Sequence, residues 1–405
     1  MSEEIESSAA GATSTSSLRR INRETLINLL GQRVVMTRGQ MAEETGLTSA
    51  AISRITREML GAGILIESEG EKPLGRVGRR ETHLSINPTG AFVLAVSLTA
   101  NRRSITLANA LGEVVAEKAC DDLDPSDALE FLDALAARAK ALIYDADFNR
   151  SRLLGVGVSA AISTGVQQAN NHDAVISNPL GWRSVPVGPR LSTALSLPVR
   201  VEHRASAILR AELKQRSEAS DIYLVNVALG IGVSAHLDGR FIAAGSRGFG
   251  SLSHFRLTGE TTPCDCGRLG CLEVTAAGRA IVANLDKASI PLTLQSQRLN
   301  EAVLAAEAGD AATREAFHAA GRRLGIGVDA AIALFNPKTI ILSGEVGRQP
   351  DYFAGLLDTL EEAGRANANA FVERSTITSA NAAISVALQE YVFTGDLNLA
   401  KLKAA

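Results

Sequence analysis

Three of the four cysteines, Cys264, Cys266 and Cys271, fall within eight residues, and His254 stands ten positions before the first of them. Thiolate sulfur and imidazole nitrogen are donors that zinc prefers, and three cysteines with one histidine complete a tetrahedral shell. Gly267 and Gly270 lie between the ligands, where a residue without a Cβ lets the backbone turn sharply enough for the sulfurs to converge. Four protein ligands leave no open position for water, so the ion expected here, Zn2+, is structural and performs no chemistry. The competing reading is a buried histidine beside reduced cysteines. In either case the function must come from what surrounds this stretch.

A second set of functional candidates lies near the N-terminus. Ile21, Leu26, Ile27, Leu29 and Leu30 form an apolar helical stripe that stops near Gly31. Thr37 with Gln40 three residues later is a capping-box pattern that opens a second helix, and Thr45-Gly46-Leu47 makes the turn out of it. Thr48 or Ser49 then caps a third helix through about Leu60, with Ile52, Ile55 and Met59 on its buried side. Two helices joined by a short glycine-containing turn make a helix-turn-helix, whose second helix enters the DNA major groove. Its outward positions are Thr48, Ser49, Ala50, Ser53, Arg54 and Arg57. The short side chains allow close approach to base edges, and the two arginines reach guanine or phosphate. Ile64 to Ile66 and His83 to Ile86 read as a strand pair around a basic tip containing Arg76, Arg79 and Arg80, suited to a wing on phosphates or in a minor groove. A small helical bundle with a solvated basic loop is the bland alternative.

The whole chain agrees with a local DNA contact. Its 405 residues are too many for one core and imply two or three domains. Net charge is −3, but residues 18–90 carry eleven Lys/Arg against eight Asp/Glu, a mildly basic module on an acidic body. No apolar run approaches the ~18 residues of a membrane span, and the Ser/Ala-rich residues 1–17 read as a disordered tail with no secretory pattern. Clustered ligand-like cysteines with Cys120 apart do not form a disulfide framework, so the cytoplasm is the expected compartment.

Asn87-Pro88-Thr89-Gly90 breaks the pattern and begins the body of the chain. Phe92 to Leu98, Ser104 to Asn109 and Val114 to Ala116 read as three strands, followed by a helix over Pro125 to Asp145 and a buried strand over Leu153 to Ile162. A second set begins at Asp221 to Leu229 and Val233 to Leu237, with a strand at Thr339 to Leu342. Two α/β lobes that each open on meandering strands imply a cleft between them.

This order resembles the ROK family (repressors, open reading frames and sugar kinases). The motif Cys264-Asp265-Cys266-Gly267-Arg268-Leu269-Gly270-Cys271-Leu272-Glu273 matches the family's cysteine signature at its characteristic positions, with His254 at the usual distance before it. The resemblance covers residues 18–405 and implies an α/β protein: an N-terminal winged helix-turn-helix over 18–88, then a two-lobed, actin-like sugar-kinase fold. Its lobes would be 89–204 with 385–405, and 205–384 with the zinc site. Kinases of the family carry an aspartate as catalytic base where this chain has Arg204, and an arginine stays protonated at physiological pH. Their two phosphate loops read here Ser97-Leu98-Thr99-Ala100-Asn101, without an acidic residue for Mg²⁺, and Ala228-Leu229-Gly230-Ile231-Gly232, without the threonine hydroxyl.

The resemblance also implies that a regulator keeps the sugar site as a sensor, with Asn178, His203, Arg204, Ser251, His254 and Glu273 as its candidate ligand-binding residues. Ser251 replaces a family glutamate and Arg204 an aspartate, a swap that favours a ligand carrying its own negative charge, such as a sugar acid or sugar phosphate. The alternative is a vestigial site in which Arg204 pairs with Glu202, Glu212 or a helix end. The expected function is a ligand-responsive repressor of carbohydrate-related genes that binds operator DNA as a homodimer or homotetramer. A sugar kinase with an accessory domain, or a regulator controlled by a protein partner, are the readings that compete with it.

Overall fold

The computed structural model describes residues 15–69, 81–162, 175–177, 180–216, 221–244, 251–286, 291–365 and 367–403. The first helix, α1 (Thr15–Arg33), turns Leu26, Ile27 and Leu30 inward and begins inside the stretch expected to be a tail. A short strand β1 (Val35–Thr37), which the sequence pattern did not disclose, leads into α2 (Arg38–Thr45). The Thr37 hydroxyl accepts from Gln40 N–H at 3.2 Å and Gln40 Oε1 accepts from Thr37 N–H at 2.8 Å, a complete capping box. Gly46, at φ +67°, ends α2 in the left-handed conformation that glycine adopts without penalty. Thr48 then caps α3 (Ser49–Gly61), which buries Ile52, Ile55, Thr56 and Met59. Strands β2 (Leu65–Glu69) and β3 (Thr82–Ile86) complete a three-stranded sheet in the order β1-β3-β2. This is a winged helix.

The body repeats one design twice. In the first sheet, β4 (Phe92–Leu98), β5 (Arg103–Asn109) and β6 (Val114–Ala119) form an antiparallel meander, and α4 (Ala128–Asp145) crosses to β7 (Leu153–Ala160), parallel to β4. A small hairpin of β8 (Val175–Ser177) and β9 (Trp182–Val185) and the helix α5 (Val187–Leu195) then lead to β10 (Val199–His203), parallel to β7. The order is β10-β7-β4-β5-β6. Helix α6 (Arg204–Lys214) passes to the second sheet. There β11 (Ile222–Val227), β12 (Ile231–Leu237) and β13 (Arg240–Ile242) form the meander, and β14 (Thr339–Ser343) and β15 (Val372–Arg374) are the parallel strands, in the order β13-β12-β11-β14-β15. Both sheets share order and direction, as expected of an actin-like pair of lobes. Between β13 and β14 come α7 (Leu272–Thr275), α8 (Gly278–Asp286), α9 (Leu292–Glu307) and α10 (Ala311–Phe335). After β14 come α11 (Gly344–Gly347) and α12 (Pro350–Glu362), and after β15 α13 (Ser379–Tyr391) and α14 (Leu399–Lys403).

Although it follows the second sheet in sequence, α13 returns to the first and lies across β4 and β7. Two glycines of β7 make room for it. A Cβ on Gly157 would sit 2.4 Å from the Ala387 backbone nitrogen, and one on Gly155 would meet the Tyr391 ring at 2.6 Å. The winged helix has no separate core: Leu26, Ile52, Met59 and Leu84 pack in one cluster with Val93 of β4, Ile384 and Leu388 of α13, and Phe393 and Leu402 beyond it. The Arg152 guanidinium fastens the junction by donating to the carbonyls of Ala62 (3.2 Å) and Gly90 (2.8 Å). The winged helix is therefore packed continuously on the first lobe.

Candidate functional site

His254, Cys264, Cys266 and Cys271 present ligand atoms that all lie within 4.8 Å of one another. The Cys266 and Cys271 sulfurs are 3.6 Å apart, and Cys264 Sγ stands 3.8 Å from His254 Nδ1. Zinc–sulfur bonds of ~2.3 Å in a tetrahedron set neighbouring sulfurs about 3.8 Å apart, close to the two separations above, so the four residues could hold a zinc ion. All the cysteines are free thiols. Gly267 (φ +83°) and Gly270 (φ +70°) adopt the left-handed turns the loop needs, and a Cβ on Gly270 would collide with the Glu260 carbonyl oxygen at 2.5 Å. Burial lowers the His254 pKa, with Arg268 adding to the effect, which keeps the ring in the neutral form that binds metal. With Nδ1 facing the sulfurs, Nε2 is left to donate elsewhere.

Glu273, two residues after Cys271, reaches the β11–β12 turn. Its Oε2 accepts from Ile231 N–H at 3.1 Å, and its Oε1 lies 2.7 Å from where a Cβ on Gly230 would be. Burial raises its pKa to about 7, partly opposed by that N–H and by Arg279. The β11–β12 turn thus has a backbone donor occupied by a carboxylate. The first turn is closed on itself as well. The Thr99 hydroxyl donates to the Arg102 carbonyl at 2.6 Å and accepts from Arg102 N–H at 2.9 Å, and Arg103 donates to the carbonyls of Ala100 and Asp121.

On the other side of the second turn lies the start of α6. His203 caps that helix, its Nδ1 accepting from Ala205 N–H at 3.1 Å while the ring also bonds the Ile162 backbone. The ring packs on Gly232, where a Cβ would be 2.5 Å from its Cε1. His203 thus touches both lobes, through Ile162 of the first and Gly232 of the second. Burial lowers its pKa from 6.5 to about 4. The unfolded chain accepts a proton that the folded chain refuses, so this group withdraws stability as pH falls from about 6.5 toward 4 and has no effect above that window. His203→Asn keeps a capping side chain and should flatten the dependence of the unfolding midpoint on pH across that window. An unchanged slope would locate the acid sensitivity in other groups.

Arg204 opens α6 and is only 7% exposed, with an Nε that has no hydrogen-bond partner. The carboxylates expected as its alternative partners are committed elsewhere. Glu202 accepts from Arg210 at 2.8 Å, and Glu212 accepts from the Ser375 hydroxyl at 2.5 Å and from Arg216 at 3.4 Å. Burial pushes the Arg204 pKa below its ordinary value, Glu345 opposes that shift, and Arg348 adds to it. Glu345 lies in α11, directly after β14, and Arg348 caps the C-terminus of that helix; both escaped the sequence reading. The paired glycines directly after a buried strand were the available signal: a Cβ on Gly344 would lie 2.1 Å from the Val227 carbonyl oxygen. Ser251 is exposed and shares a 2.6 Å hydrogen bond with Ser253. Asn178 lies outside the described residues.

On α3, Thr48, Ser49, Ala50, Arg54 and Arg57 are exposed, and Ser53 is partly so. Neither arginine forms an ion pair with a described residue, whereas Arg38 of α2 is held by Thr56 (3.1 Å) and Glu67 (2.7 Å). Arg76, Arg79 and Arg80 lie outside the described residues. No described helix is long and apolar enough to cross a membrane.

A winged helix on an actin-like pair of lobes, with a Cys3His cluster beside the interlobe turn, defines the class of protein. The ROK family model matches residues 93–389, and the chain belongs to that family. It is 24% identical over 359 residues to the xylose repressor of Caldicellulosiruptor bescii, covering 85% of this chain and 87% of that protein. To the DNA-binding transcriptional dual regulator NagC of Escherichia coli it is 26% identical over 337 residues, 81% of each chain. A crystal structure of a ROK family transcriptional regulator, described as a homologue of the E. coli Mlc protein, superposes with a TM-score of 0.73 at 23% identity. It covers 96% of this chain and all of that one, so the two share a fold from winged helix to second lobe.

Proposed function

We propose that this chain is a cytoplasmic DNA-binding transcriptional repressor whose operator affinity is set by a small acidic sugar derivative held between the lobes, and that it phosphorylates nothing. The observation that carries the reading is Arg204. Glu345 acts on this buried guanidinium, but no carboxylate among the described residues forms an ion pair with it, and a ligand carboxylate or phosphate would supply that charge with bidentate geometry. At the same position a general base is impossible, because arginine holds its proton. The names of the relatives support a repressor of carbohydrate-related genes. Zinc, held by His254, Cys264, Cys266 and Cys271, fixes the loop that delivers Glu273, and a homodimer pairs two α3 helices on a palindromic operator.

Because the winged helix shares its core with the first lobe, a ligand that closes the lobes would shift the spacing of the two reading heads. It does so to the extent that it binds one spacing more tightly. Thermal unfolding with candidate ligands tests the reading. A sugar acid or sugar phosphate at ~100 times its Kd should stabilise the chain by about 2.7 kcal/mol, and ATP with Mg²⁺ should not. Stabilisation by ATP–Mg²⁺ and not by acidic sugars would return the chain to the kinases.

A further inference from the structure

The first turns of α1 border an open pocket of about 850 Å³ that the recognition-helix reading does not use. Its walls come from three separate pieces of chain: the first turns of α1, Arg54 of α3, and Gly395-Asp396 beyond α13. Four guanidinium groups, those of Arg19, Arg20, Arg23 and Arg54, line it. They face too little negative charge. Arg19 and Arg23 share the Glu58 carboxylate, Arg23 at 3.7 Å, and Arg20 takes Asp396 at 2.9 Å. Arg54 has no ion pair among the described residues. Arg23, whose side chain is 16% exposed, donates to the Gly395 carbonyl at 3.1 Å but leaves its buried Nε without a partner. A wall of four guanidinium groups that share the Glu58 and Asp396 carboxylates carries surplus positive charge and is complementary to an oxyanion.

We infer that this cavity is a phosphate site, and that the phosphate it takes in function belongs to the operator backbone next to the bases read by α3. The inference rests on the DNA-binding reading above and adds a contact surface to it. Arg54 is the link, since it stands on the recognition helix and also lines the cavity. A phosphate seated against Arg20 and Arg23 would fix the register of α3 in the groove, the positioning task that backbone contacts perform. Gly395-Asp396 joins the site to α13, which lies on the first lobe, so the phosphate would be gripped partly by the effector-sensing body. A free phosphorylated small molecule offers the same chemistry and is the other source to be tested.

The test uses the full chain and a duplex that the wild type selects from a random pool, with affinity measured across a series of KCl concentrations. Each neutralised phosphate contributes ~0.9 to the slope of log K against log salt. Arg20→Gln and Arg23→Gln should each lower that slope by about 0.9 per bound chain without changing the sequence preference. Asp396→Asn, which removes a competing carboxylate, should tighten binding to every duplex, and its opposite sign separates the site from misfolding. Slopes equal to wild type in both arginine variants, with no gain from Asp396→Asn, would overturn the operator contact. Inorganic phosphate is titrated against the DNA-free protein in parallel. Binding that Arg23→Gln abolishes while the DNA slope stays unchanged would keep the phosphate site and overturn the operator as its source. If the wild type selects no duplex, the regulator reading fails by itself, and the phosphate titration still decides the cavity.

Discussion

Arg54→Ala with Arg57→Ala is expected to weaken operator binding by roughly 30- to 20,000-fold, at ~1–3 kcal/mol for each lost arginine contact. Both side chains point to solvent from a helix whose other face buries Ile52, Ile55 and Met59, so the thermal unfolding midpoint should stay within a degree or two of wild type (roughly ±0.5 kcal/mol per surface change). The pairing of outcomes matters. Lost binding with retained stability locates recognition on α3, and operator binding at wild-type strength with both arginines gone refutes that assignment. Fluorescence anisotropy with a selected duplex and differential scanning calorimetry measure the two quantities.

Removing zinc should have the second-largest effect. Cys271→Ser takes one sulfur from a shell whose members converge within 4.8 Å, and the protein should then fail to retain one zinc per chain. The rest of the loop from His254 to Glu273 is held by its own backbone bonds, such as Leu257 N–H to the Gly270 carbonyl at 2.8 Å, and by Leu257 and Leu272 in the core. Gly267 and Gly270 stand in left-handed conformations, and the strand-like contacts are isolated bridges between Arg256 and Cys271 and between Pro263 and Leu269. A cost of only ~3 kcal/mol would lower the unfolding midpoint by about 6–12 °C in lobes of this size. Glu273 would lose its placement on Ile231, so ligand-induced stabilisation should shrink as well. Elemental analysis finding a full equivalent of zinc in Cys271→Ser, together with an unchanged midpoint, would contradict the assignment.

What was legible in the sequence followed from local chemistry. The capping box at Thr37–Gln40, the glycine turn at Gly46 and the cap at Thr48 are short-range patterns, and the helices follow them within a residue or two. The strand Phe92–Leu98 was readable because a fully buried strand is a continuous apolar run. The cysteine spacing located the Cys3His cluster. Long-range placement was less accessible. Nothing local in Val35–Thr37 marks a strand, because β1 exists through its pairing with β3, some fifty residues away. The fates of Glu202 and Glu212 depended on Arg210, Arg216 and Ser375, the last of these from the far side of the second sheet. His203 looked like a ligand-binding residue by position, yet its ring is committed to Ala205, Ile162 and Gly232. The basic face of α1 went unread because three arginines on a helix are usually a solvated surface. It took the approach of Gly395-Asp396 and Arg54 to enclose them.

The central claim is that an anionic small molecule acting through Arg204 sets DNA affinity, and one measurement addresses it most directly. Operator affinity is determined for wild type and Arg204→Ala, each with and without a panel of sugar phosphates, sugar acids and the parent neutral sugars. The account predicts that at least one acidic sugar changes wild-type affinity by roughly 5- to 150-fold, the usual span of coupling between two sites. Its neutral parent should do far less, and Arg204→Ala should bind DNA normally without responding. An acidic sugar that shifts operator affinity equally in wild type and Arg204→Ala, or a response confined to neutral sugars, would contradict it.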